Sequence, residues 1–212
     1  GLGDVYKRQG LTNSLCFEEK DAYDILRPKY RVGPTAREVA APIYDRVKDL
    51  SELEKKQYLD LNLWLPGDIL LKADKMSMAN SLELRVPFLD RNMLDVALSI
   101  PQKYRSGKES TKIALRGAAM KQLPESVAHR KKLGFPVPLN DWLREDKYYN
   151  MVKEKFTGPV AEKFFNVDEI MRLLDDHKAG KAKNMTKIWS FYSFILWYEL
   201  YFVNTQAPAG IY

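Results

Sequence analysis

The 212-residue sequence contains one cysteine, Cys16, and two histidines, His129 and His177. A single cysteine closes no internal disulfide, which excludes a disulfide-stapled secreted scaffold and fits a reducing compartment. So few thiols and imidazoles leave almost nothing for a zinc or haem site. A Ser-His-Asp or Cys-His enzyme would have to draw on those same two histidines. Long apolar runs are scarce as well. Residues 188–203 come nearest to a membrane span, yet they fall short of the ~20 residues a crossing needs and include Ser190, Ser193 and Glu199. They read as a buried terminal helix. Residues 1–9 have no apolar stretch of the secretory kind. The expectation is a soluble, cytoplasmic protein with no membrane partner.

Phosphate-binding and metal-binding signatures are missing too. Gly107-Lys108 is followed by Glu109, and Gln102 stands where a P-loop requires glycine. GxGxxG, HExxH and EF-hand patterns are absent, and no metal site is expected. His177 follows Asp175 and Asp176, but three consecutive residues point in different directions around a helix, so it reads as a solvated helix end. His129, beside Arg130, Lys131 and Lys132, reads as a basic surface turn.

What is present is ordinary globular composition, 45% apolar and 29% charged, with aromatics at 12%. The length suits one domain or part of a larger one. Lys and Arg number 34 against 28 Asp and Glu, a net charge of +6 that favours anionic partners weakly. The basic residues alternate with acidic ones along each helix instead of gathering in a stripe, which argues against a helical nucleic-acid-binding module.

The periodicity predicts nearly all helix and almost no strand. Pro42 fits the first turn of a helix running to about Leu50. Ser51 and Glu54 form a capping box for the next, which Pro66-Gly67 should stop or kink, with Asp68 capping its successor. Pro87 holds Val86 out of the helical region, so residues 84–89 read as extended. Asp90 caps a helix over 91–100, closed by Pro101. Further helices are expected over 111–123, capped by Ser110 or Thr111, and over 140–156, 159–165, 168–179 and 185–203. Gly180 is the expected left-handed stop after the fourth of these.

Chemistry concentrates in residues 71–90, LKADKMSMANSLELRVPFLD. Asp74, Lys75, Ser77, Asn80, Glu83, Arg85 and Asp90 lie between apolar neighbours, and polar groups packed that way must pair. One reading is a buried ion-pair junction with no chemistry of its own.

The stretch ADKMSMANSLELRVPFLD resembles asparagine synthetase of the glutamine-hydrolysing type. Three further matches follow in order: Lys112-Ile113-Ala114-Leu115-Arg116 is similar to the family's Lys-x-x-Leu-Arg helix, residues 123–127 to its Leu-Pro turn, and residues 130–138 to the loop after it. The likeness runs from about Pro42 to Phe202. Residues 1–9 resemble a junction segment instead, leaving 10–212 as the C-terminal part of the synthetase domain. The family's Ser-Gly-Gly-x-Asp-Ser pyrophosphate loop, its Gly-x-Asp-Glu-x-Phe-x-Gly-Tyr segment and its glutaminase domain do not occur here.

That resemblance implies a mostly α fold. The chain would be the helical C-terminal portion of an α/β ATP-pyrophosphatase (PP-loop) domain whose parallel sheet lies upstream. It implies a ligase that uses ATP and Mg2+ to convert aspartate to asparagine through aspartyl-AMP, with ammonia from glutamine, as a homodimer in full-length form. The fragment is expected to be inactive alone. Lys112 matches the lysine that stabilises the departing pyrophosphate, against the alternative of an exposed helix lysine. Asp74, Lys75, Glu83, Arg85, Asp90 and Arg116 match polar positions beside the substrate pockets. Lys132, Gly134, Phe135 and Pro136 match a loop expected to close over the site. A β-lactam-forming synthetase of the same superfamily is the alternative.

Overall fold

The computed structural model describes residues 19–107, 111–130 and 137–204, of which residues 19 and 20 are described by backbone only. Every regular element among them is helical; the two β-bridges, Leu26 with Phe165 and Ser106 with Thr111, are isolated. The chain divides into two units, one formed by Gly1–Ile69 with Val137–Tyr212 and the other by Leu70–Pro136.

The first unit opens with α1 (Glu19–Ile25), a 3-10 turn at Pro28–Tyr30 and α2 (Ala36–Tyr44), with α3 (Glu52–Leu59) after a second 3-10 turn. Thr35 caps α2 in a box with Glu38, whose carboxylate accepts from the Thr35 N–H at 2.7 Å. The helix therefore starts before the position assigned to Pro42, which lies inside it. Pro42 gives up an intrahelical N–H there; the box and the burial of Ala40 and Tyr44 against Leu59 hold the helix across it. Ser51 and Glu54 form the expected box on α3.

Pro66-Gly67 does not stop the run. Residues Asp60–Leu70 continue as a π-helix, whose wider turn accommodates the proline ring. Asp68 lies inside this run, and the N-cap of the next helix is Leu70 instead; the Asp68 carboxylate accepts from the Trp64 indole N–H at 3.1 Å.

The rest of the first unit is a packed bundle: α9 (Leu139–Trp142), α10 (Asp146–Phe156), α11 (Pro159–Phe164), α12 (Val167–Lys178) and α13 (Met185–Tyr198), ending in a π-turn at Glu199–Val203. The helix expected over 140–156 is thus two, separated where Leu143 turns into the core. Ile170, Leu173, Leu174 and His177 recur at helical spacing and form the buried stripe of α12. Ile188, Phe191 and Ile195 do the same on α13, and Val152 and Phe156 on α10. Gly180 (φ +73°) ends α12 in the left-handed region as expected.

Phe165 and Phe191 meet edge-on at 5.0 Å, and Phe156 meets Phe191 at 6.3 Å. Ile25 joins this core from the other end of the chain. Its carbonyl accepts from the Asn166 N–H at 2.7 Å, while the Arg27 N–H donates to the Phe164 carbonyl at 2.9 Å.

His177 is the one fully buried polar residue of that bundle, not a solvated helix end. Its Nδ1 accepts from the Asn184 N–H at 3.1 Å, so Nε2 carries the proton and donates to the Asn140 carbonyl at 2.9 Å. The imidazole ties the start of α9 to the start of α13.

In the second unit α4 (Leu71–Met78) is followed by irregular chain and a 3-10 turn at Pro87–Leu89. Then come α5 (Arg91–Ser99), α6 (Gln102–Arg105), α7 (Ile113–Ala119) and α8 (Glu125–Ala128). Asp90 caps α5 as expected, its Oδ1 accepting from the N–H of Asn92 and Met93. The helix expected over 111–123 is shorter. Its N-cap is Lys112 with no side-chain cap, so Thr111 does not serve; Ser110 lies outside the described residues. Among the described residues of this unit only Ala128 is buried. No helix among the described residues is long and apolar enough to cross a membrane.

Candidate functional site

The residues singled out in the sequence fall in the second unit in two groups. Asp74 and Lys75 are exposed on α4. Glu83 and Arg85 form an ion pair at 2.7 Å, with 69% and 83% of their side chains exposed, and Asp90 is committed to capping α5. A buried junction is not what these residues build. Their apolar neighbours Leu82, Leu84, Val86 and Phe88 are exposed as well, so no low-dielectric surround forces or strengthens the pair.

Lys112 and Arg116 form the second group, at the start of α7. Lys112 is exposed and has left-handed backbone angles, φ 60° and ψ 36°. Among the described residues it shares a positive φ outside glycine only with Ser81. A side chain in that region costs about 1–2 kcal/mol against the right-handed alternative. Such residues persist where surrounding contacts over-determine them, and they cluster at functional sites. Both here lie within the two motif stretches, a signal that residue type alone could not supply.

Arg116 is half-buried and bonded throughout. Its Nε donates to the Thr111 carbonyl at 3.1 Å, Nη1 to the Ala128 and Arg130 carbonyls at 2.8 and 3.1 Å, and Nη2 to the Arg130 carbonyl at 3.1 Å. His129, between two of those acceptors, lies exposed with Nε2 3.1 Å from the Met120 sulfur. Among the described residues no hydrogen bond or ion pair joins the Asp74–Asp90 group to Lys112 or Arg116. Lys132, Gly134, Phe135 and Pro136 lie outside the described residues.

Shifted ionisations sit elsewhere, in the first unit, several of them on groups that staple its helices. The Asp175 carboxylate accepts from the Tyr149 hydroxyl at 2.6 Å and pushes that phenol up to about 12. Lys163 donates to the Tyr198 hydroxyl at 2.5 Å and Lys155 to Glu199 at 2.7 Å, and each ammonium is raised by that bond. Asp146, bonded to Lys178, is held below the usual carboxylate range. Burial pushes Asp60 upward. Apart from Asp60, these groups join one helix or turn of the bundle to another.

The asparagine synthase family model matches residues 6–199. The chain belongs to the asparagine synthase family. It is 41% identical over 199 residues to asparagine synthetase [glutamine-hydrolyzing] 1 of Bacillus subtilis, covering 92% of this chain and 31% of that protein. Asparagine synthetase [glutamine-hydrolyzing] 3 of the same organism is 36% identical over 83 residues, or 39% of this chain and 14% of the relative. The Cricetulus griseus asparagine synthetase [glutamine-hydrolyzing] is 28% identical over 135 residues, or 56% and 24%. The chain thus spans less than a third of the length of these relatives. No solved structure matches it.

Proposed function

We propose that the chain is the C-terminal part of the synthetase domain of a cytoplasmic, glutamine-hydrolysing asparagine synthase. The whole enzyme would be an ATP-dependent ligase of PP-loop architecture, its parallel sheet and pyrophosphate loop supplied upstream of this segment. A separate glutaminase domain would deliver ammonia, and two copies would pair. The single observation that carries this reading is the family match over residues 6–199.

In the proposed reaction the aspartate side-chain carboxylate attacks the α-phosphorus of ATP, forming aspartyl-AMP and releasing pyrophosphate. Ammonia then displaces AMP to give asparagine. Positioning and electrostatic stabilisation carry most of the rate in such transfers. Lys112 suits the first step because an ammonium is a compact point charge. At the head of α7 it faces water unpaired by any carboxylate among the described residues, leaving it available to a phosphate. Asp74, Lys75, Glu83, Arg85 and Asp90 would border the ATP and aspartate pockets, and the loop bearing Lys132, Gly134, Phe135 and Pro136 would close over them. No three His, Cys, Asp or Glu side chains among the described residues gather as a metal site, so no residue here is assigned to Mg2+.

The test is pyrophosphate release by the full-length enzyme, dependent on aspartate, with ammonia supplied directly to bypass glutamine hydrolysis. Lys112→Ala is expected to slow release by about 10²–10³-fold, the usual loss for one such contact. Lys112→Arg should rescue poorly, because a planar fork does not fill a point-charge site. Lys121→Ala should behave as the parent. Release by Lys112→Ala at the parent's rate would overturn the assignment.

A further inference from the structure

We propose that Arg116 is a positioning residue that locks the left-handed backbone presenting Lys112, and that it does not bind substrate. The φ and ψ of Lys112 are set by the two peptide planes on either side of it. The first carries the Thr111 carbonyl, which accepts from Arg116 Nε at 3.1 Å. The second carries the Lys112 carbonyl, which accepts from the main-chain N–H of Arg116 at 2.9 Å. One residue therefore holds both planes.

The far edge of the guanidinium is anchored in turn. Nη1 and Nη2 donate to the Ala128 and Arg130 carbonyls, so the fork cannot swing away from Thr111 without breaking three further bonds. Four of its five N–H groups are consumed by main-chain oxygens, leaving one for anything else. Neither glycine nor a side-chain cap relieves the strain at Lys112; the Arg116 bonds restrain its two planes, alongside the Ser106–Thr111 bridge on the preceding residue. A lysine at 116 keeps the charge, but one ammonium cannot serve acceptors lying in three directions.

The first measurement uses the chain itself and does not depend on the function proposed above. In Arg116→Lys, amide hydrogen exchange over residues 111–116 and over 125–130 is expected to rise together. The rise should be about 10- to 100-fold, the effect of losing one or two charge-assisted bonds. Exchange within α12 should not change. No change in either segment, or a rise confined to 125–130, overturns the proposal. Should Arg116→Lys unfold, its loss of stability is compared in the Lys112→Gly background. Glycine adopts the left-handed turn unaided, so the loss should be smaller there, and an equal loss overturns the proposal.

The second measurement rests on the reading of Lys112 as the pyrophosphate contact. In the full-length enzyme Arg116→Lys should lower kcat for pyrophosphate release while the KM values for ATP and aspartate stay within about twofold. The loss should disappear when Lys112 is already alanine. A raised KM with kcat intact would make Arg116 a substrate ligand and overturn the proposal. A Lys112→Ala variant that remains fully active would instead overturn the reading of Lys112, with the exchange result standing.

Discussion

Both nitrogens of His177 are engaged, and each partner is a main-chain group that no other side chain among the described residues is seen to serve. His177→Ala would leave the Asn184 N–H and the Asn140 carbonyl unpaired beside a cavity. The expected cost is about 2–6 kcal/mol, the sum of two orphaned buried groups. Urea unfolding of the chain measures it; a loss under about 1 kcal/mol would mean that water replaces the ring. The local sequence pointed the other way, because Asp175 and Asp176 beside a histidine suggest an exposed polar end. Burial was legible only in the spacing from Ile170 through Leu173 and Leu174 to His177, which puts all four on one stripe. Lys112 shows the converse. The motif singled it out, but nothing in the adjacent sequence marks its left-handed backbone, whose neighbouring Thr111 carbonyl is bonded by Arg116, a side chain tied in turn to carbonyls at the end of α8 and just past it.

Among the elements, α10 and α12 are joined at their solvent edge by a cluster of complementary groups. Tyr149 donates to Asp175, Lys178 lies over the Tyr149 ring at 4.0 Å, and Lys178 also pairs with Asp146. The bond to Asp175 raises the folded Tyr149 phenol to about 12 from an unfolded value of 10.0. A raised folded pKa means that the contribution is complete below pH 10 and is lost as pH climbs through 12. Ultraviolet titration should therefore show one late phenol, absent in Tyr149→Phe, and that variant should lose the alkaline step in stability. A Tyr149 that ionises with the other tyrosines would show that Asp175 does not hold it. Helix existence was well marked where caps at Ser51 and Asp90 and the stop at Gly180 act within one turn; α1, in a stretch that reads as irregular, and the short α6 and α8, which have no side-chain cap, were not foreseen. The boundaries that moved had less local causes. Pro42 and Pro66 each break a rule of intrinsic preference, and α2 and the π-helical run carry on across them, α2 with its capping box and buried residues, the π-run with a wider turn.

For the molecule as a whole, packing and candidate chemistry are separated. Apart from Ala128, every buried residue among those described belongs to the first unit, whereas Lys112, Arg116 and the Asp74–Asp90 stretch belong to the second. Elements with few buried apolar contacts open at low free energy. Brief proteolysis is expected to cut first within Leu70–Pro136. The two flanking pieces should still elute together in size-exclusion chromatography and separate only in denaturant, because Ile25 and Phe165 share one core. First cuts within α10, α12 or α13 would contradict this.

The first unit is also discontinuous in the chain. Arg27 donates to the Glu162 carbonyl, a partner 135 residues later. At ribosomal speeds of about 5–20 residues per second, α1 waits on the order of ten seconds for the helices that bury Ile25. For the later part of that interval the apolar side chains between Leu71 and Leu98 have emerged while the first unit's core is still unfinished. The newborn chain is therefore most at risk of aggregation before α12 and α13 are made, and slowing translation upstream of α10 should lower the soluble yield more than slowing it downstream.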